Sequence, residues 1–104
     1  MDTIFALATA PGRAGVAIIR ISGPNAVEVT EQFCGSVPKR RGLRRVVDPQ
    51  GELIDEALIL AFPDKQSFTG EPIVELHLHG SPAIVAAMLE LLGRDKRLRF
   101  AEAG

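Results

Sequence analysis

Ile73–His79 alternates without a break: Val74, Leu76 and Leu78 are apolar, while Glu75, His77 and His79 between them are polar. Period-two spacing sends the two sets to opposite faces of an extended chain, so this stretch predicts a strand with one face in a core. At 104 residues the chain has room for a single core. Other elements follow from similar patterns. Thr3–Thr9 and the β-branched run Val16–Ser22 flank turn chemistry at Pro11–Gly15 and read as a hairpin. Leu43–Val47 and Leu53–Phe62 flank Asp48-Pro49-Gln50-Gly51 and read as a second hairpin. Ser22-Gly23-Pro24-Asn25 predicts a helix start with Pro24 near the first helical position, Ala26, Val29 and Phe33 on one face, and an end near Gly35. A second helix is predicted over Ala83–Leu92, capped by Ser81 and Pro82 and stopped by Gly93 at its C′ position. Its expected buried stripe is Ile84, Ala87, Met88 and Leu91. Leu98–Ala101 has the makings of one more short strand. Hairpins mixed with two or three helices make an α+β domain with a mainly antiparallel or mixed sheet.

Composition removes several function classes. Twelve basic against thirteen acidic residues give a net charge of −1, with no global drive towards nucleic acid or membrane. Apolar runs such as Ala57–Phe62 and Ala83–Leu89 are far short of the ~18 residues that span a bilayer. Met1–Thr9 carries Asp2 and no basic segment ahead of its apolar run, unlike a secretory signal, so a cytoplasmic protein is expected. One cysteine, Cys34, excludes an internal disulfide, and its place beside Phe33 suits packing. No G-x-x-x-x-G-K-[ST] loop and no G-x-S-x-G elbow occurs. Asp55 and Glu56 are adjacent on a strand and point to opposite faces, which disfavours a catalytic pair.

Three features stand out. Arg20 lies among Ile18, Ile19 and Ile21 on the face of Val16 and Ile18. There it either pairs with an anion or lays its stem on the sheet with its head in water. Glu75, His77 and His79 share a face that is either the wet side of a strand, a metal-ligating stripe, or a polar pocket whose carboxylate accepts N–H groups of a ligand. Between Lys39 and Arg45, five of seven residues are basic. That segment reads as a solvated strand entry or as a phosphate-binding patch, without aromatics to stack on bases. Arg94, Lys96, Arg97 and Arg99 form a second basic group that suits a helix C-terminus. The chain ends at Gly104 with no closing element, as a fragment would.

The segments Asp2-Thr3-Ile4-Phe5-Ala6, Ala8–Pro24, Ser67-Phe68-Thr69-Gly70-Glu71, Val74–Gly80 and Leu98–Gly104 together resemble the N-terminus of the MnmE (TrmE) tRNA-modification GTPases. The resemblance runs through nearly the whole chain in order. It implies that residues 1–104 form a folate-binding and dimerisation domain, similar in fold to the folate-binding domain of the glycine-cleavage T-protein group. It also implies that helical and GTPase domains lie beyond it. By the same resemblance, Arg20 and Glu75 contact a tetrahydrofolate derivative (5-formyl- or 5,10-methylene-tetrahydrofolate). The longer parent is implied to use GTP, Mg2+ and K+, to form a homodimer, and to act with a flavin-dependent MnmG-type partner on C5 of the wobble uridine of tRNA. A purely structural dimerisation domain and a small metal-binding domain are the alternative functions. Pro72 and Ser81 depart from the family pattern and bear only on local loop conformation.

Overall fold

The computed structural model of the protein describes residues 2–9, 15–62 and 70–101. The elements run in the order β1 (Thr3–Leu7), β2 (Val16–Ser22), α1 (Ala26–Cys34), β3 (Arg41–Val47), β4 (Leu53–Phe62), β5 (Ile73–His79), α2 (Pro82–Gly93) and β6 (Leu98–Phe100). The strands join in one sheet ordered β3-β4-β5-β2-β1-β6. Four pairings are antiparallel, and β1 with β6 is parallel, so the sheet is mixed and the class is α+β as expected. Residues 11–14 of the expected turn at Pro11–Gly15 and residues 63–69 between β4 and β5 lie outside the described residues.

Each helix carries the chain from a central strand to a sheet edge, α1 from β2 to β3 and α2 from β5 to β6. Both cover the same face. Phe5, Ile19, Ile21, Val46, Ala57, Ile59, Val74, Leu76 and Leu78 meet Ala26, Val29, Phe33, Met88 and Leu92 in one buried cluster. The alternating residues of β5 therefore divide as the sequence predicts. Removing this apolar area from water is the main favourable contribution to folding.

The helix ends differ from expectation in physically informative ways. Pro24 precedes the cap position, which Asn25 occupies without a side-chain cap bond. Instead the buried Thr3 reaches across from β1, and its Oγ1 accepts the Asn25 N–H at 2.9 Å. Ser81 holds the N-cap position of α2 but makes no side-chain cap bond, while Pro82 sits in the first turn, where a missing N–H is harmless. Gly93 does not act as a left-handed stop. It is the last helical residue, and Arg94 follows in right-handed conformation with its N–H on Leu91 and Leu92 carbonyls. Leu92 is fully buried, whereas Leu91, expected in the stripe, is only half-buried.

Gly23 is the backbone pivot between β2 and α1. Its φ is +135°, and a Cβ there would lie 2.6 Å from Thr3 Cα and 2.7 Å from the Asp2 carbonyl oxygen. Its N–H donates to the Pro72 carbonyl at 3.0 Å, tying the entry of β5 to the end of β2. Because backbone atoms cannot move aside as a flexible side chain can, Gly23→Ala is expected to lose roughly 2–3 kcal/mol of stability. Denaturant midpoints of the two proteins check this, and a variant within a few tenths of a kcal/mol of the parent would contradict it.

Candidate functional site

β2 and β5 are the two central strands, and their register sets Arg20 directly opposite Glu75. Both project from the face that the helices leave open. Across that face the paired positions run Leu60, Glu75, Arg20 and Ala6, with Leu58, His77 and Ile18 in the next row. Among the described residues no helix packs on this side. It is nonetheless not simply a wet face, because Ile4, Ile18, Leu58 and Leu60 on it are half-buried apolar side chains. The two polar partners thus sit in an apolar frame.

Arg20 donates to one carboxylate oxygen twice, from Nε at 2.9 Å and from a terminal nitrogen at 2.6 Å, both to Glu75 Oε2. The other oxygen, Oε1, is 3.0 Å from His77 Nε2. An ionised carboxylate only accepts, so His77 serves it from Nε2 as donor. The Arg20 side chain is 48% exposed and that of Glu75 only 13%, so the guanidinium has room to leave while the carboxylate does not. Burial pushes the Glu75 carboxyl up, but the bonds from His77 and Arg20 outweigh it and hold the group below its ordinary 4.5.

His79 stands apart from the other two members of the stripe. Its N–H donates to Asp55 Oδ2 at 2.8 Å and its ring Nδ1 lies 2.8 Å from Asp55 Oδ1. Asp55 is buried and belongs to the helix-facing set of β4, so His79 is turned over the end of the sheet. Among the described residues no three His, Cys, Asp or Glu side chains are grouped to hold a metal ion. Val16, Leu43, Leu58, His77 and His79 border a shallow depression of about 240 Å³ beside the Arg20–Glu75 pair. Cys34 is half-buried against the core, and burial raises its thiol, which suits packing.

The sequence picks out Arg20 and Glu75, and the fold brings them together. It gives no warning that His77 is the second ligand of the Glu75 carboxylate, because strand alternation alone does not say which side chains bend towards each other. It misses Asp55 altogether as the partner of His79, since 24 residues separate them. Of the Ser67–Glu71 segment that carries part of the family resemblance, residues 67–69 lie outside the described residues.

Fold and site together define a two-layer α+β module that presents a half-buried carboxylate paired with an exposed guanidinium at the centre of an open sheet face. Among the described residues no helix is long and apolar enough to cross a membrane. The chain matches the family model described as GTP-binding protein TrmE N-terminus over residues 3–104, and it belongs to that family. It is similar to the tRNA modification GTPase MnmE of Roseobacter denitrificans, 53% identical over 106 residues that include all of this chain and 25% of the relative. The corresponding proteins of Dinoroseobacter shibae and Rhodospirillum rubrum are 51% and 45% identical, again over all of this chain and 25% and 26% of theirs. The chain therefore spans about a quarter of the length of the curated relatives it matches.

The depressed Glu75 carboxyl has a pH consequence. A group whose folded pKa is lowered adds stability above its ordinary value and loses that contribution as pH falls through the folded one. The expected loss thus lies below pH 4.5. Carboxyl-carbon NMR of Glu75 is expected to give a midpoint under 4.5, rising in Arg20→Ala. A wild-type midpoint at or above 4.5 would contradict the ion-pair account.

Proposed function

We propose that this chain is a tetrahydrofolate-binding and dimerising module, residues 1–104, of a tRNA-modification GTPase. The observation that carries the reading is the Glu75 carboxylate, held ionised at the centre of the open face by a guanidinium that is free to leave. Glu75 accepts two N–H groups from Arg20 in the present arrangement, both on Oε2. The 2-amino and N3–H edge of a pterin offers two parallel donors, one for each carboxylate oxygen, in place of the two that Arg20 brings to Oε2. Arg20, released, pairs with carbonyl or carboxylate oxygens of the same ligand. His77 stays on Oε1 and fixes the carboxylate plane. Ile18, Leu58 and Leu60 supply apolar surface around the exchange.

In this reading the bound folate supplies a one-carbon unit for C5 of the wobble uridine. GTP, Mg2+ and K+ belong to the part of the relatives' length that this chain does not span, because its sequence has no phosphate-cradling loop. The flavin-dependent MnmG-type partner and the tRNA are engaged by the full-length protein in the cytoplasm. The half-buried apolar side chains of the open face also favour a second reading, a homodimerisation domain that binds no folate.

Calorimetry with 5-formyltetrahydrofolate on the full-length protein separates the two. Glu75→Gln aims an amide donor at the ligand's own N–H, and the loss of a charge-assisted pair is expected to cost roughly 1.5–3 kcal/mol, one to two decades in affinity. Arg20→Lys is expected to weaken binding as well, because a point charge does not reproduce the planar fork. Glu75→Gln binding as tightly as the parent would sink the pocket assignment. A parent that releases no heat with folate but sediments as a dimer would favour the structural reading.

A further inference from the structure

The two basic groups of the sequence are electrostatically unlike in the folded chain. Around α2 and β6 the arginines are neutralised within the molecule: Arg94 pairs with Glu90, Arg97 with Asp95 at 2.7 Å, and Arg99 with Asp2 at 3.0 Å. Arg20 is likewise paired with Glu75. In the segment entering and forming β3, Arg44 is consumed structurally, its Nε donating to the Ser36 carbonyl at 2.9 Å and a terminal nitrogen to the Leu43 carbonyl at 2.9 Å. Lys39, Arg40, Arg41 and Arg45 are exposed, and among the described residues none of the four makes an ion pair. A chain with a net charge of −1 thus concentrates positive charge along one outer strand, where Arg45 stands opposite Glu56 of β4 without an ion pair and Arg41 stands opposite Leu60.

We infer that the β3 edge, through Lys39, Arg40, Arg41 and Arg45, is a docking surface for the phosphate backbone of an RNA. Arg41 and Arg45 are four residues apart on one strand face, about 13 Å, which suits phosphates two steps apart along a strand rather than one isolated anion. Guanidinium forks match phosphate oxygens in pairs. No aromatic interrupts the segment, so contact is made to the backbone and not by base stacking. Strand register gives the surface its position relative to the site. Arg41 is paired with Leu60, and Leu60 with Glu75, so the cations begin two strands from the carboxylate, about 10 Å, on the same open face. An RNA held at the edge would have a nucleotide within reach of that face. The choice of RNA over another polyanion rests on the tRNA-modification reading above, while the surface rests on charge alone.

The test is tRNA binding by the full-length protein across a salt series, with unfractionated tRNA as the probe. Four phosphate contacts predict a log–log salt slope steeper by about three to four than that of a protein without them. Arg40→Ala/Arg41→Ala/Arg45→Ala is expected to bind at least about tenfold more weakly at ~50 mM salt and to lower the slope by about three. Arg41→Lys/Arg45→Lys keeps the charge and is expected to retain most of the slope. Lys96→Ala, removing an exposed cation elsewhere, is expected to leave it unchanged. Thermal midpoints and 5-formyltetrahydrofolate titrations on the same variants report folding and the neighbouring site, so a failure of the folate reading leaves this result readable. An unchanged slope in the folded triple variant would overturn the inference. So would an equal loss of binding to poly-glutamate, which would assign the edge to an acidic protein surface.

Discussion

The antiparallel register between β2 and β5, from Val16 opposite His79 to Ser22 opposite Ile73, is the constraint on which the rest depends. Both strands are central, so every other strand attaches outward from this pair. A slip by one residue would exchange the faces of one strand, sending Arg20 or Glu75 into the core and Ile19 or Leu76 to the open side. Burying an unpaired charge costs far more than a surface contact returns, so the register is enforced by the core itself. The ion pair is a consequence of correct pairing and contributes little to it. An exposed guanidinium screened by water adds at most about 1 kcal/mol.

That division of labour leaves the pair free to serve chemistry. Glu75 is shielded enough that water cannot readily replace its donors, and Arg20 is exposed enough to move. His77 completes the carboxylate from the same strand. Asp55 and His79 do a different job. A buried carboxylate accepts both a backbone N–H and a ring N–H at the end of β5, where the ladder would otherwise leave polar groups open. The His-x-His spacing therefore serves two carboxylates on two faces.

The open face has apolar side chains beside its charged pair, and the two sheet edges differ. One carries unpaired cations on β3, while the other, β6, carries Arg99 tied to Asp2. Positive charge on an outer strand discourages edge-to-edge pairing with another chain, and it also attracts phosphate. The two effects are compatible, since a strand protected from pairing remains accessible to a polyanion.

Local patterns determined the elements. The alternation at Ile73–His79, the β-branched run at Val16–Ser22 and the spacing of Ala26, Val29 and Phe33 each mark a buried face, because strand and helix periods are properties of the backbone. Arg20 and Glu75 were legible for the same reason, as polar groups on otherwise apolar or alternating strands. The helix ends were less legible. Asn25 is capped from β1 by Thr3, and Gly93 stays helical, because tertiary contacts satisfied groups that local signals would have satisfied otherwise. Only the tertiary structure decided that β2 meets β5, that β6 joins β1 in parallel, and that Asp55 holds His79. Those pairings join residues tens of positions apart, and nothing in a strand's own period says which neighbour it takes. The choice is made by which arrangement buries all the apolar faces at once.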